Sequence, residues 1–229
     1  MIFIYNELEF KVNLSFLKPL PDYLVQRYHG WKATTFSNNK SWYHKLAQDG
    51  QHPKAMIISC CDSRVHVTSI FGSDAGEFFI HRNIANLVPP FKKDQDYHGT
   101  SAAIEYAVKT LKIPHIIVLG HSTCGGVKSS FEYFSGKNPV LYEDSNFVAS
   151  WLEILRPSFE SLPKELTIED KVQALEKQTV LTSIENLTTF PFISNAIKNE
   201  TLSLHGLWHD IGSGELMFFD AKSNNFVFV

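Results

Sequence analysis

Only three of the 229 residues are cysteine. So small and odd a number excludes a disulfide framework as the source of stability and points to reduced thiols. Positive charge is also scarce. The 21 Lys and Arg against 24 Asp and Glu leave a formal net charge of -3, which offers no broad field for a phosphate backbone and predicts no nucleic-acid partner. No uninterrupted apolar run approaches the roughly 18 residues that cross a bilayer. The opening residues, MIFIYNELEFKVNLSFL, lack a basic start and a small-residue cleavage site. The expectation is a protein with no membrane partner and a cytoplasmic location. Repeats, low-complexity tracts and linkers are missing as well, so the 44% hydrophobic and 13% aromatic content is expected to build one domain over residues 1–229.

What is there alternates between helix and strand patterns. Helical spacing covers Pro21 to Ala33 and Ser41 to Gln48, predicting an N-terminal helical arm over residues 1–50. A core over 51–229 follows. Its short apolar runs, Ala55 to Ser59, Glu77 to Ile80 and His115 to Leu119, read as buried strands. Between the last two, Gly99-Thr100-Ser101 opens a helix with a wide apolar face. Two more helices are expected from Asn146 to Asn186, a short one after Phe190-Pro191-Phe192, then strands at Thr201 to Leu207 and Glu215 to Phe219 and an edge strand at Phe226 to Val229. The pattern predicts an α/β fold with a mostly parallel central sheet flanked by helices, whose ligands gather beyond the carboxyl ends of the strands.

Two motifs lie at such ends. In Cys60-Cys61-Asp62-Ser63-Arg64, extended backbone would turn Cys60 and Asp62 to one side and Cys61 to the other, with Arg64 beside Asp62 to keep its carboxylate ionised. In Gly120-His121-Ser122-Thr123-Cys124-Gly125-Gly126, His121 and Cys124 can reach one ion, and the helix that starts there should lower the Cys124 pKa. Two thiolates and one imidazole suit Zn2+ and leave a fourth tetrahedral position for water, a substrate group or the Asp62 carboxylate. Three permanent ligands favour a catalytic over a structural site.

These two motifs together resemble the paired signature of beta-class carbonic anhydrases. The stretch from Gly76 to Pro90 and the helix from Gly99 to Lys109 are similar to the same family, above all its plant-type branch. The resemblance implies reversible hydration of CO2 to bicarbonate by attack of a zinc-bound hydroxide. One Zn2+ per chain would sit on Cys60, His121 and Cys124. Asp62 would either ligate zinc in a closed form or swing to Arg64. It further implies a substrate pocket of Gln51, Phe79 and Tyr106 with help from the Gly125 amide, and a homodimer or higher homo-oligomer with active sites near the subunit interface. Taken by themselves, Phe79 and Tyr106 read as ordinary core residues and Gln51 as a solvated loop residue. Thr110 stands where plant-type members carry a histidine associated with proton movement, which leaves that route open here.

Three other chemistries compete on sequence grounds. A structural zinc site expects four permanent ligands, usually in Cys-x-x-Cys pairs that this chain lacks. A thiol hydrolase would use Cys60 or Cys124 as nucleophile and keep its activity after chelation. Hydrolysis of CS2 or COS by a relative of the same fold would need nearly the same metal centre.

Overall fold

In the computed structural model, residues 15–94, 96–137 and 147–229 are described. The first 14 residues of the expected arm and the expected helix start at Asn146 lie outside them. The chain divides between Gly50 and Gln51 into two units. In the first, α1 (Asp22–Trp31) runs through a π-helical turn (Lys32–Phe36) toward α2 (Lys40–Asp49). Its aromatic side chains pack on one another: Trp31 meets Phe36 at 5.5 Å and Tyr43 at 5.8 Å between ring centroids. None of the residues in these three elements is buried.

The second unit is organised by β1 (Ala55–Cys60), whose six residues are all buried. A strand read as a continuous apolar run is one flanked on both sides and covered on both faces, and β1 is paired in parallel with β2 (Phe78–Asn83) and β3 (His115–His121). Beyond β3 lies β4 (Ser203–His209), also parallel, and then the antiparallel hairpin strands β5 (Leu216–Asp220) and β6 (Asn225–Phe228). The sheet order is β2-β1-β3-β4-β5-β6, a mostly parallel α/β sheet as the sequence pattern predicts. Strand alternation sends Met56 and Ile58 into one core cluster and Ile57 into another on the opposite face. A third cluster gathers at the carboxyl end of β1 around Cys60, Cys124, Leu87, Leu152 and Leu175.

The strands exceed their sequence limits where polar residues are paired. The second strand runs on to Asn83 because His81, Arg82 and Asn83 are in register with Ile58, Ser59 and Cys60. The helical region after 146 is divided into α6 (Phe147–Leu152), α7 (Arg156–Glu160) and α8 (Ile168–Thr188), with short α3 (Val67–Ile70) and α9 (Pro191–Lys198) elsewhere. The expected helix after Gly99 is α4 (Gly99–Glu105), continued by a π-helical turn from Tyr106 to Thr110.

Helix α8 is what braces the site. Thr167 caps it by accepting from the Asp170 N–H at 3.1 Å. Its residues 176, 179, 183 and 186 recur at helical spacing and form a polar stripe facing inward. The Asn86 amide donates to Thr179 Oγ1 at 3.0 Å, Ser183 Oγ donates to Asn86 O at 3.0 Å, and the Val88 N–H donates to Ser183 Oγ at 3.1 Å. These bonds hold Ala85 and Asn86 at φ 60° and 48°, left-handed values that cost energy in residues with a Cβ. The close approach of α8 to the sheet depends on Gly120, where a Cβ would lie 2.7 Å from Val180 Cγ2 and 3.3 Å from Glu176 O. Gly120→Ala is therefore expected to lower stability by about 1–3 kcal/mol through overpacking, read as a lower urea midpoint at unchanged slope. An unchanged midpoint would mean that the helix yields without cost.

Candidate metal centre

Adjacent parallel strands bring their carboxyl ends together, and the last residues of β1 and β3 are Cys60 and His121. After His121 the chain turns through Thr123, at φ 56°, into α5 (Gly125–Phe134), for which Cys124 is the N-terminal cap residue. Cys60, His121 and Cys124 are all buried, and their potential ligand atoms lie within 4.8 Å of one another. The two sulfurs are 3.9 Å apart and both thiols are free. Two sulfurs at about 2.3 Å from one tetrahedral ion would stand about 3.8 Å apart, so this spacing suits a shared metal.

The imidazole is oriented for the same purpose. His121 Nδ1 lies 2.9 Å from Ser122 O; a carbonyl only accepts, so Nδ1 carries the proton and Nε2 presents its lone pair. That Nε2 is buried with no hydrogen-bond partner. An orphaned acceptor between two thiols is costly unless something electrophilic meets it. The residues present thus fit a thiophilic, imidazole-binding cation such as Zn2+.

Electrostatics within the cluster are set by the sulfur pair. The hydrogen bond with Cys124 holds the Cys60 thiol well below its usual range, against the opposing effect of burial. Cys124 is pushed up by the same bond and by its burial, contrary to the lowering expected from its place at a helix start. One proton shared at 3.9 Å outweighs the partial charge of a helix end. For His121, burial acts downward, but the facing Cys60 sulfur and the hydrogen bond to Ser122 O carry the net shift upward.

Asp62 and Arg64 also meet, by a backbone route other than the extended one expected. The strand stops at Cys60 and residues 62–65 turn: Val65 N–H donates to Asp62 O at 3.0 Å, and Arg64 N–H donates to Asp62 Oδ1 at 3.0 Å, an aspartate side chain closing its own turn. The guanidinium then forks onto the carboxylate, Nε to Oδ1 at 2.9 Å and NH2 to Oδ2 at 2.7 Å. It also donates to Thr123 Oγ1 at 3.2 Å and Thr123 O at 2.9 Å. The Arg64 hydrogen bonds hold the Asp62 carboxyl far below the usual carboxylate range, against its partial desolvation. Asp62 is thus turned to Arg64, and the three-residue metal-ligand cluster does not include it. Cys61 is exposed and stands outside the cluster.

Two residues outside the sequence argument secure these positions. Arg82 donates to Cys60 O at 2.8 Å, Asp62 O at 2.7 Å and Val65 O at 2.8 Å, tying three carbonyls of the turn to β2. Glu176, 3% exposed, accepts from the Cys124 N–H at 3.0 Å; burial raises its carboxyl to about 7. The signal for Glu176 is present in α8, where Leu175, Thr179, Val180, Ser183 and Leu187 mark the buried face that also contains it. A cavity of about 750 Å³ opens beside this group, lined among others by Arg64, Thr123, Cys124, Lys128, Glu176 and Asp210.

The expected substrate residues fall elsewhere in the chain. Phe79 is in register with Met56, four residues before the Asn83–Cys60 pair, about 13 Å back along the sheet. Tyr106 packs against it in a tilted pair with 5.9 Å between ring centroids and is half-exposed. Gln51 is exposed at the amino-terminal side of β1, the opposite end of that strand from Cys60. Gly125, by contrast, directly follows Cys124 and opens α5.

Comparison with known proteins comes down on one family. Residues 55–216 match the carbonic anhydrase family. Beta carbonic anhydrase 3 of Arabidopsis thaliana is 34% identical over 198 residues, covering 84% of this chain and 75% of that protein. Among solved structures, the beta-carbonic anhydrase CcaA aligns with a TM-score of 0.83 at 33% identity over 91% of each chain. A beta-carbonic anhydrase of the filamentous ascomycete Sordaria macrospora, described as tetrameric, aligns with a TM-score of 0.70 at 31% identity over 87% of this chain and 96% of its own.

Proposed function

The chain belongs to the carbonic anhydrase family, as one of its beta-class members, and from that premise we propose that it converts CO2 and water to bicarbonate and a proton at a zinc ion held by Cys60, His121 and Cys124. The observation that carries this reading is the unpartnered Nε2 of His121 beside two free thiols 3.9 Å apart. Bound there with three protein ligands, zinc would lower the pKa of a water to about 7 and so supply a nucleophile at neutral pH.

The chain's own residues do the rest. The Asp62 carboxylate, kept ionised by the two-pronged Arg64 pair, accepts a hydrogen bond from the attacking oxygen and fixes the direction of its lone pair. While Arg64 holds Asp62, the carboxylate is kept from joining Cys60, His121 and Cys124 as a further ligand. The Gly125 amide, in the first turn of α5, donates to a substrate oxygen as negative charge develops on it. Gln51, Phe79 and Tyr106 line the CO2 pocket of a neighbouring copy. Their distance from the cluster of their own chain favours this, as does the tetrameric state of the Sordaria macrospora relative. The functional unit is then at least a homodimer.

Stopped-flow CO2 hydration at about pH 8.5, where a group of pKa near 7 is fully ionised, tests the activity. Rapid catalysis by zinc-loaded protein, lost on chelation, is the expected result; a folded sample with bound zinc and no rate above buffer would overturn it. A stable active monomer in light scattering would overturn the shared pocket. Asp62→Asn, which cannot accept the same charge-assisted bond and loses its Arg64 ion pair, is expected to retain zinc while kcat/KM falls by about 10²-fold or more. Unchanged kinetics in that variant would remove Asp62 from the mechanism.

A further inference from the structure

At the amino-terminal end of the parallel strands, away from the metal-ligand cluster, two imidazoles meet. His115 opens β3, while His205 lies on β4 in register with Ile117, so the pair sits two residues apart on neighbouring strands. Both are exposed, their ring centroids are 5.2 Å apart, and His115 Nδ1 is 3.2 Å from His205 Nε2. Among the described residues, no carboxylate is paired with either ring. Partial desolvation, together with the neighbouring imidazole, keeps His205 below its ordinary pKa, which favours a neutral His205 ring at neutral pH.

In the metal-free protein this contact is an N–H···N hydrogen bond, one ring donating to the other. Moving that proton to the donor ring's second nitrogen changes the tautomer but not the charge, and leaves a lone pair on each facing nitrogen, which rotation of the two exposed rings can direct to one ion beside the N···N line. Two imidazole nitrogens each about 2.0–2.1 Å from one ion lie about 2.9 Å apart at a right angle and about 3.4 Å apart at the tetrahedral angle. The observed 3.2 Å falls between them, so an ion could enter without rearranging the strands. Register within a paired sheet fixes the two backbones, and ligands that are already in place lose little entropy on binding.

We propose that His115 and His205 form a second metal site, taking a divalent ion of the imidazole-preferring kind, such as Ni2+, Cu2+ or Zn2+, with water completing its shell. Six residues separate His115 from His121 along β3, about 20 Å at the rise of a strand, so this site is distinct from the three-ligand cluster and does not depend on the function proposed for it.

The test is a calorimetric titration of zinc-loaded protein with Ni2+, which does not oxidise thiols. One further equivalent is expected to bind. His115→Gln and His205→Gln should each weaken it by more than the roughly 10–100-fold lost when only an outer partner of a ligand is removed. Zinc content and CO2 hydration should stay at the parent level in both variants. The same Ni2+ isotherm in the double variant, or no uptake by the parent protein at millimolar Ni2+, would overturn the proposal. Imidazole proton resonances of the unaltered protein give an independent reading: paramagnetic Ni2+ should broaden those of His115 and His205 first, and prior broadening of other histidines would refute the assignment.

Discussion

On the proposed zinc mechanism, His121→Ala is expected to lower kcat/KM for CO2 hydration by about 10⁴-fold or more, because a water no longer held on the metal would revert from a pKa near 7 toward the 15.7 of bulk water. The loss should appear first as lost metal. His121 contributes the one buried nitrogen of the cluster, whose Nε2 is unpartnered and whose Nδ1 is fixed on Ser122 O, and two thiols alone leave half of a tetrahedral shell to solvent. Zinc content measured by atomic emission after dialysis should fall well below one per chain, in step with activity. Cys124→Ser should behave in the same way, since a hydroxyl is a poorer zinc ligand than a thiolate. Full zinc content with lost activity would place His121 in the reaction but not on the metal. Retained activity without zinc would return the site to the rival thiol chemistry of Cys60 or Cys124.

That Cys60, His121 and Cys124 would cluster was legible in the sequence because each stands at a recognisable boundary. Cys60 follows an unbroken apolar run, His121 closes another behind Gly120, and Cys124 precedes the glycines that begin α5. Parallel strands bring such boundaries together, so a parallel sheet inferred from hydrophobic pattern is enough to unite residues 60 and 121. The Asp62–Arg64 pair was legible by residue type but not by backbone. The i, i+2 spacing that suggests an extended strand serves equally for an aspartate that caps its own turn, and the Asp62 bond to the Arg64 N–H decides between them.

What stayed hidden depends on contacts distant in the chain. The Cys124 pKa is governed by Cys60, 64 residues away, and no local rule weighs that against a helix end. Strand β2 extends through His81, Arg82 and Asn83 because β1 pairs with it and because Arg82 is spent on carbonyls of the metal-side turn. Periodicity reads the same residues as the polar end of a strand. Glu176 was overlooked for the ordinary reason that a lone glutamate in a helix is read as solvated, although its helical neighbours are core residues.

That buried glutamate should also give the chain a distinct pH dependence. In the folded, zinc-free protein, burial raises Glu176 from its ordinary 4.5 to about 7, so the native state holds a proton that the unfolded chain has already released. The sign follows from linkage: where the native state binds more protons, stability falls as pH rises. Below about 4.5 both states are protonated and Glu176 imposes no ionisation cost. The cost grows between about 4.5 and 7 and stays constant above, reaching about 3 kcal/mol at about 1.4 kcal/mol for each pH unit. Glu176→Gln keeps an oxygen for the Cys124 N–H and carries no charge at any pH. Its stability relative to the parent, measured by urea unfolding of zinc-free samples, should therefore rise by about 3 kcal/mol between pH 4.5 and 8. Whatever the amide costs in packing is the same at both ends of that range and cancels in the comparison. Parallel stability curves for the two proteins would mean that Glu176 titrates as an ordinary carboxylate, with water or a cation reaching it through the adjoining cavity. A widening gap would establish that a neutral acid at residue 176 holds the Cys124 amide at low pH, and that above about pH 7 the zinc-free fold carries a buried negative charge beside the ligands, where a bound cation would offset it.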